Sequence, residues 1–516
     1  MDLDHDACYR ALATRDVRFD GRFFVAVRST GIYCRPICPA RTPKRENVTF
    51  FRSAAAAQQA GFRPCLRCRP ETAPDSGVWR GTSHTVSRAL ALIELGALDQ
   101  DSLAALAGRM GVGERQLRRL FQQHLGASPV GVAQTRRVLF AKQLIHETQL
   151  PMTQVALAAG FGSIRRFNET FRQLFGRPPS ELRRAKAVGS GSRPAGEVTV
   201  LLRYRPPYDW SAMLSYLRVR AIAGVEAVVA DHYVRAIEIE GLRGTVVVEH
   251  ADGAALRARI RFPKISVLPL IIARLRRVFD LAADPEAIRL HLARDRALAP
   301  LVAARPGLRV PGAWDGFELA VRAVLSQQIT VVAATRLLGR LVAACGEPLR
   351  DVALAQDGLT HVFPRPDRVA TADIAALGVP RQRATALSSL AAAAHADPQI
   401  FSAGEGLEEA VARLRALPGI GEWTAHYIAM RELREPDAFP AADVGIARAM
   451  ADSSGRRPSP HTLLDRAERW RPWRAYAAQH LWAHLAQARS PQTEARRYYP
   501  KRSVKSSRTD SRLGGI

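Results

Sequence analysis

Four of the six cysteines in this 516-residue chain form two short pairs near the N-terminus, and their spacing constrains this region more than any other feature. Three residues separate Cys34 from Cys38, two separate Cys65 from Cys68, and 26 residues lie between the pairs. Two such pairs predict a closed, tetrahedral zinc site with four thiolate ligands. A small domain held together by one zinc ion is therefore expected here.

Positive charge surrounds the four cysteines. The nearby basic side chains are Arg35, Arg41, Lys44, Arg45, Arg52, Arg63, Arg67 and Arg69. A purely structural zinc site does not require this charge, whereas a site that meets DNA phosphate does. The whole chain has 75 Lys and Arg against 48 Asp and Glu, a net charge of +27, which favours polyanion binding through counterion release. A general arginine-rich composition of the source proteome remains the alternative explanation for the charge alone.

Length and composition predict three or four globular domains with ample core. The N-terminus is acidic and has no apolar run, so we expect no signal peptide. No stretch of about 18 uncharged apolar residues occurs, and we expect no membrane span. Cys8 and Cys345 stand alone, and such cysteine usage fits a reducing cytoplasm better than a disulfide framework.

Changes in composition and hydrophobic period predict a multidomain α+β protein. The predicted parts are a small zinc-binding α/β domain at 1–75 and an all-α domain at 84–186. An antiparallel-sheet α+β subdomain at 197–310, a second all-α domain at 311–490 and a basic, disordered tail at 491–516 follow. Linkers are expected at 71–83 and 187–196. The second linker is rich in Gly and Ser, which suggests loose coupling between the two halves of the chain.

The helical block at 84–186 contains two similar units about 50 residues apart. The first predicts helices at 102–107 and 114–124, and the second predicts helices at 152–159 and 164–174 with Ser163 as an N-cap. This arrangement resembles the AraC-type helix-turn-helix domain, which implies that each second helix enters the major groove. The outward residues are then Arg115, Gln116, Arg118, Arg119, Arg165, Arg166 and Asn168. A bare helical bundle with a solvated arginine face is the alternative.

The cysteine region resembles the N-terminal domain of the Ada adaptive-response family. The resemblance rests on Gly21–Val27, Thr30–Pro36, Arg45–Val48 and Ala60–Cys65. It implies that the four cysteines bind zinc and that Cys34 accepts a methyl group from a methylphosphotriester in DNA. Methylation of one thiolate removes a negative charge, so affinity for DNA should rise and the chemistry should act as a transcriptional switch. A purely structural zinc site is the alternative.

A tight hairpin lies far downstream, in Leu417-Pro418-Gly419-Ile420-Gly421. Two glycines around one apolar residue allow backbone N–H groups and the following helix N-terminus to hold a phosphate. The motif resembles the helix-hairpin-helix of DNA glycosylases. In that superfamily the catalytic aspartate follows the hairpin, and Asp443, 22 residues past Gly421, matches the position. Asp443 is also a candidate N-cap, and the two roles can coexist.

Longer segments narrow the resemblance to DNA-3-methyladenine glycosylase II, over about 198–488. They are Tyr204–Trp210, Ala304–Gly312, Gly421–Tyr427 and Trp470–Ala477. The resemblance implies a pocket that receives a flipped base, lined by Trp423, Tyr427 and Trp482. It places Gln328 at the wedge that fills the gap left in the DNA stack. It also implies that the hairpin binds DNA through Leu417, Gly419 and Gly421 and that the hairpin carbonyls are a candidate cation site. Each aromatic residue taken singly has a plain core role as its alternative.

Four departures refine this expectation. The wedge position is apolar in that family, whereas here it is Gln328, which can still fill the gap left by a flipped base. Trp423 occupies the slot where lyase members of the superfamily carry a nucleophilic lysine, so a monofunctional glycosylase without a Schiff base is expected. No iron–sulfur cysteine cluster follows the domain. Neither Cys8 nor Cys345 stands in the Pro-Cys-His-Arg context of a second methyl acceptor, so reversal of O-alkylguanine is not expected.

The sequence therefore predicts an alkylation-damage response protein. Its front half senses methylphosphotriesters and regulates transcription, and its back half hydrolyses the N-glycosidic bond of alkylated purines such as 3-methyladenine. Expected partners are double-stranded DNA and RNA polymerase, for a monomeric protein. The alternatives are a transcription regulator whose glycosylase half is a catalytically weak DNA-binding platform, and a repair enzyme whose helix-turn-helix units only tether it to DNA.

Overall fold

The structure is a computed structural model and describes residues 4–16, 19–73, 84–94, 96–183, 197–349, 357–402 and 406–488. The predicted linker at 187–196 and the predicted tail at 491–516 lie outside these residues, as does most of the first linker. Within the described ranges, every helix is too short or too polar to cross a membrane.

The N-terminal region is a four-stranded sheet with two helices. Its elements are α1 (His5–Ala13), β1 (Phe24–Val27), β2 (Ile32–Cys34), β3 (Val48–Phe51), α2 (Ala54–Gln59) and β4 (Arg63–Pro64), in the strand order β3-β1-β2-β4. The pairing of β2 with β4 is parallel and sets Tyr33 opposite Pro64. The next residues of the two strands, Cys34 and Cys65, therefore lie side by side, so this pairing joins the two cysteine pairs.

The next region is helical and contains both predicted units. Its elements are α3 (His84–Glu94), α4 (Ala97–Gln100), α5 (Leu103–Arg109), α6 (Glu114–Leu125), α7 (Pro129–Glu147), α8 (Met152–Ala158) and α9 (Ile164–Phe175). The Ser163 side chain accepts a hydrogen bond from the Arg166 N–H, as expected of an N-cap. Phe167 and Phe171 are fully buried on one face of α9.

The sheet-containing region follows from residue 197. Its elements are β5 (Glu197–Arg203), α10 (Trp210–Arg218), β6 (Glu226–Val229), β7 (His232–Ile239), β8 (Leu242–Ala251), β9 (Ala255–Arg261), α11 (Leu268–Val278), α12 (Pro285–Leu292) and α13 (Ala299–Ala304). The sheet is antiparallel throughout, in the order β5-β9-β8-β7-β6. Alternating residues of β5 are buried, which is the period-2 pattern of a strand with one face on the core.

The C-terminal region is helical. Its elements are α14 (Gly316–Leu325), α15 (Val331–Cys345), α16 (Pro366–Ala370), α17 (Arg381–Ala396), α18 (Leu407–Arg415), α19 (Glu422–Arg431), α20 (Val444–Ala449), α21 (Pro460–Ala467) and α22 (Arg474–Ala488). An isolated bridge joins Pro348 to His361. The predicted fold class, a multidomain α+β protein with these four kinds of region, is confirmed.

One hydrophobic cluster spans the boundary between the two halves, so the loose coupling expected from the second linker is wrong for the described residues. Ile145, Phe167 and Phe171 of the helical block pack in the same cluster as Val200 and Ile260 of the sheet. A hydrogen bond also joins the edge strand β5 to helix α7 of the helical block, because Gln143 Nε2 donates to the Leu201 carbonyl at 3.1 Å. Linker composition could not show this packing, because tertiary burial decides it.

The first linker also begins later than expected. Glu71 was predicted to open it, but its side chain is 1 % exposed and forms an ion pair with the fully buried Lys142 of α7. Lys142 Nζ also donates to the Cys65 carbonyl at 2.9 Å. The cysteine region is therefore fastened to the helical block.

Candidate functional site

The four predicted metal ligands converge. Their Sγ atoms all lie within 4.8 Å of one another, as a single zinc ion with four thiolate ligands requires. The Arg35 N–H points at Cys68 Sγ and the Arg67 N–H at Cys65 Sγ, both at 3.3 Å. Such N–H donors orient and stabilise thiolate ligands. The donor set, its geometry and this backbone support fit zinc, and the cluster is a zinc-binding site.

Burial does not distinguish the predicted methyl acceptor from the other ligands. Cys34, Cys38, Cys65 and Cys68 are 9, 6, 6 and 7 % exposed. The structure therefore leaves the role of Cys34 as a prediction.

The basic side chains around the cysteines are less available to DNA than their number suggested. Arg35 forms an ion pair with Asp20 and also donates to the Cys68 carbonyl at 3.2 Å. Arg45 pairs with Asp6, and Arg69 pairs with two glutamates. The role of Arg35 is therefore corrected: it holds the cysteine loop to the preceding turn. Arg41, Arg63 and Arg67 make no ion pair within the described residues.

The two predicted recognition helices present arginines on their outer faces. Arg115 and Arg119 of α6 and Arg165 and Arg166 of α9 are exposed. Arg118 is exposed too, but it pairs with Glu114 one turn earlier at 2.5 Å. The contacts of these helices with DNA remain a prediction.

The predicted hairpin joins α18 to α19. Gly419 has φ +79°, and a Cβ added there would lie 2.7 Å from the Ala386 Cβ of α17. Only glycine adopts this conformation in such close contact without strain. Gly421 is the N-cap of α19, so the free N–H groups of that helix begin at the hairpin.

A glutamine that the sequence did not single out fixes the neighbouring loop. Gln327 donates from Nε2 to the Gly419 carbonyl at 2.9 Å and to Thr424 Oγ1 at 3.2 Å. The Gln327 carbonyl accepts a hydrogen bond from Arg383 at 2.9 Å. Gln328, the predicted wedge, is exposed at the tip of this loop with φ +59°. The only available signal was the adjacency of the two glutamines.

Asp443 precedes α20, and both of its carboxylate oxygens are bonded. Oδ2 accepts from Trp423 Nε1 at 2.8 Å, and Oδ1 accepts from Trp482 Nε1 at 2.9 Å. Oδ1 also accepts from the Ile446 N–H at 2.8 Å. Asp443 is thus an N-cap and, at the same time, the acceptor for two indoles that come from α19 and α22.

The predicted pocket aromatics form one cluster beside this carboxylate. Trp423 stacks on Tyr427 with ring centroids 5.1 Å apart, and Tyr427 meets Trp482 edge-on at 6.4 Å. All three are only partly buried, which favours a pocket wall over a plain core role. Tyr216 of α10 joins them, since its hydroxyl lies 3.1 Å from that of Tyr427. Sequence reasoning missed Tyr216 because it comes from the sheet-containing region.

A buried cation lies against the same rings. The guanidinium carbon of Arg431 is 4.7 Å from the ring centroids of Tyr216 and Tyr427 and 5.6 Å from that of Trp482. Burial acts to raise the pKa of Tyr427, but the positive charges of Arg431 and Arg220 outweigh it and the pKa is lowered. Burial raises the pKa of Tyr216 to about 12. Arg431 was not predicted, since only the folded chain brings it to the rings.

Four family models match separate parts of the chain. They describe the metal binding domain of Ada at 7–71, a helix-turn-helix domain at 106–185, the AlkA N-terminal domain at 199–315, and the HhH-GPD superfamily of base excision DNA repair proteins at 321–475. These models agree with the resemblances drawn from the sequence.

One similar protein matches nearly the whole chain, and two others each match only part of it. A probable bifunctional transcriptional activator/DNA repair enzyme AlkA of Mycobacterium tuberculosis is 42 % identical over 487 residues, which cover 94 % of this chain and 97 % of that protein. DNA-3-methyladenine glycosylase 2 of Escherichia coli is 37 % identical over 54 % of this chain and 95 % of its own. The bifunctional transcriptional activator/DNA repair enzyme Ada of Escherichia coli is 36 % identical over 162 residues, which cover 31 % of this chain and 43 % of that protein. The chain therefore belongs to the family of bifunctional transcriptional activator/DNA repair enzymes that join an Ada-type regulator to an AlkA-type glycosylase.

Proposed function

We propose that residues 197–488 act as a monofunctional DNA glycosylase that releases alkylated purines such as 3-methyladenine. The observation that carries this proposal is the Asp443 carboxylate, held by two indole N–H groups at the edge of an aromatic cluster. The curated relative with the same C-terminal regions is named for this activity. Gln328 at its exposed loop tip is the wedge, and the hairpin holds the DNA backbone.

The residues suggest a simple mechanism. The damaged base leaves the stack and enters the cluster of Trp423, Tyr427 and Trp482, where aromatic faces contact its ring. The C1′–N bond breaks, its electron pair leaves with the base, and positive charge develops on the sugar. The carboxylate of Asp443 stabilises that charge because the two indoles already hold it in place. Water then adds to C1′ and gives up a proton, leaving an abasic site.

Analysis of both products of alkylated duplex DNA tests this proposal. We expect free 3-methyladenine by chromatography and an intact DNA strand that breaks only after alkali treatment. A strand cut without alkali would indicate a lyase and would contradict the absence of a Schiff-base lysine at position 423. Absence of any released base would leave the weak DNA-binding platform as the better account.

We also propose that Cys34 accepts a methyl group from a DNA methylphosphotriester. The Cys34 sulfur attacks the methyl carbon, an S–C bond forms, the C–O bond breaks, and the phosphodiester leaves as an anion. Zinc bound by the four cysteines would keep the sulfur nucleophilic as a thiolate. The transfer removes one negative charge near Arg41, Arg63 and Arg67, so affinity for the DNA backbone should rise.

Peptide mapping by mass spectrometry after incubation with methylphosphotriester DNA tests this transfer. We expect one added methyl group on the peptide that contains Cys34, and none in Cys34→Ser. Cys8→Ser is the matched control, because Cys8 is buried outside the metal cluster. A methyl group on Cys38, Cys65 or Cys68 would reassign the acceptor.

The remaining partners follow from the same organisation. We infer that α6 and α9 place their exposed arginines on promoter DNA, and that methylation of Cys34 strengthens this binding for contact with RNA polymerase. A gel-shift comparison before and after methylation tests the switch, and unchanged affinity would contradict it.

We also propose that the protein is a cytoplasmic monomer and that the hairpin carbonyls hold a cation when DNA is bound. The Gly419 carbonyl already accepts a hydrogen bond from Gln327 in this structure.

A further inference from the structure

Arg431 is a buried cation that donates its hydrogen bonds to neutral groups within the described residues. It is 2 % exposed, and it donates to the Pro311 carbonyl at 2.7 Å and to Gln479 Oε1 at 3.3 Å. Its Nε is buried without a hydrogen-bond partner, and no carboxylate within the described ranges lies within 4.0 Å of it. Burying a charge without a counterion is costly. The cost suggests a role beyond packing.

The contacts of Arg431 place this charge beside the aromatic cluster, against Tyr216, Tyr427 and Trp482. Asp443 accepts a hydrogen bond from the indole of Trp423, and that indole stacks on the ring of Tyr427. The Arg431 guanidinium carbon lies 4.7 Å from the centroid of the same Tyr427 ring. The guanidinium is also 5.6 Å from the ring of Trp482, whose indole donates to Asp443, so a negative and a positive group border the same three rings. Arg220 adds a second cation, 4.1 Å from the ring centroid of Tyr216.

This arrangement alters what the rings offer a ligand. A ring face attracts a cation through its quadrupole, and a ring that already holds one guanidinium attracts a second cation less well. The same two guanidinium groups lower the pKa of Tyr427, because positive charge stabilises the phenolate. The cluster therefore binds a base that carries a full positive charge less tightly than the same rings would without Arg431 and Arg220.

We propose that Arg431 is a specificity-determining residue of the base pocket, an inference that rests on the proposed glycosylase function. Its charge opposes the binding of a cationic alkylated base and assists the departure of every base. A cationic base becomes neutral as the bond breaks, so its repulsion by Arg431 is relieved while the charge moves to the sugar beside Asp443. A neutral base becomes negative as it leaves, so Arg431 attracts it directly.

Two substrates separate this role from a structural one. On duplexes with 3-methyladenine, which is cationic, we expect Arg431→Met to lower both KM and kcat. On duplexes with hypoxanthine, a neutral base, it should lower kcat and leave KM unchanged. The preference for the cationic base, as a ratio of kcat/KM values, should rise about tenfold, the order expected when one nearby unit charge is removed in a medium of intermediate polarity.

Two further variants guard against a simple folding defect. Arg431→Lys keeps the charge and should restore the wild-type preference, although it loses the planar donor geometry. Arg220→Met removes the more exposed cation over Tyr216 and should shift the preference in the same direction by a smaller factor.

The outcomes are distinct. Equal losses on both substrates in Arg431→Met, or a lysine variant no closer to wild type, would overturn the charge role and leave the glycosylase standing. No base release by the wild-type protein from either duplex would overturn the proposed function and this inference together.

Discussion

At the scale of single residues, the carboxylate of Asp443 depends on its donors. Three N–H groups fix it, two from indoles and one from the backbone of α20. Preorganised donors place a charge where the transition state needs it, without reorganisation during the reaction. In the proposed mechanism, Trp423 and Trp482 therefore act both as walls of the base pocket and as positioning residues.

The hydrogen bond from Trp482 can be removed without removing the ring. In Trp482→Phe the carboxylate loses one of its two indole donors, and we expect kcat for 3-methyladenine release to fall on the order of tenfold, in line with the loss of one donor to a charged group. Trp473→Phe is the matched control, since Trp473 packs against Tyr476 instead. Equal effects of the two substitutions would contradict a specific role for the Asp443 contact.

At the scale of elements, the hairpin between α18 and α19 is set by one glycine. Gly419→Ala brings a Cβ to 2.7 Å from Ala386 at a positive φ, so we expect a loss of about 1–3 kcal/mol in the free energy of unfolding and weaker DNA binding. Gly421→Ala is the control in the same hairpin, because nothing lies within 4 Å of its added Cβ. Urea denaturation should show the smaller loss for Gly421→Ala, and the reverse order would refute the packing argument.

Helix α22 carries a histidine that makes stability depend on pH. Burial, reinforced by Arg305, lowers the pKa of His480 to about 4, from an ordinary value near 6.5. Its stabilising contribution is therefore present above pH 6.5 and is lost as pH falls through 4. Between pH 7 and 4.5 this amounts to about 2–3 kcal/mol in the free energy of unfolding.

Two histidine substitutions on α22 test this pH dependence. His480→Gln should flatten the fall in unfolding free energy between pH 7 and 4.5. His484→Gln, at an exposed position one turn later, should leave it unchanged. If both variants keep the wild-type slope, His480 does not titrate as its burial requires.

At the scale of the whole molecule, the metal site depends on a helix outside its own region. Lys142 of α7 is fully buried and bonds both Glu71 and the Cys65 carbonyl. Lys142→Met removes the buried one of the two cations that pair with Glu71 and leaves only Arg69, at a cost of up to about 3–5 kcal/mol. We expect a lower midpoint for the first thermal transition and faster zinc release to a chromophoric chelator.

A surface pair supplies the control for this substitution. Lys264 pairs with Glu240, and both side chains are about half exposed, so Lys264→Met should change stability by less than about 1 kcal/mol. Zinc release as slow in Lys142→Met as in Lys264→Met would show that the two regions are energetically independent.

The sequence predicted those parts of the molecule that local spacing or a long motif determines. The cysteine quartet, the helix-turn-helix units and the hairpin are of this kind, and so is the position of Asp443. It did not predict Tyr216 or Arg431 at the pocket, because residues distant in sequence meet there only after folding. It misjudged the coupling of the halves for the same reason, since linker composition carries no information about the core shared by Phe171 and Val200.

The most direct test of the central claim is base release from alkylated duplex DNA by the full chain, with the wild type beside Asp443→Asn. Asparagine keeps an oxygen that can cap α20 through the Ile446 N–H, so the fold should survive while the negative charge is lost. We predict 3-methyladenine from the wild type and a loss of at least about 100-fold in kcat for the variant. Equal release by both proteins would contradict Asp443 as the catalytic carboxylate, and release by neither would contradict the glycosylase itself.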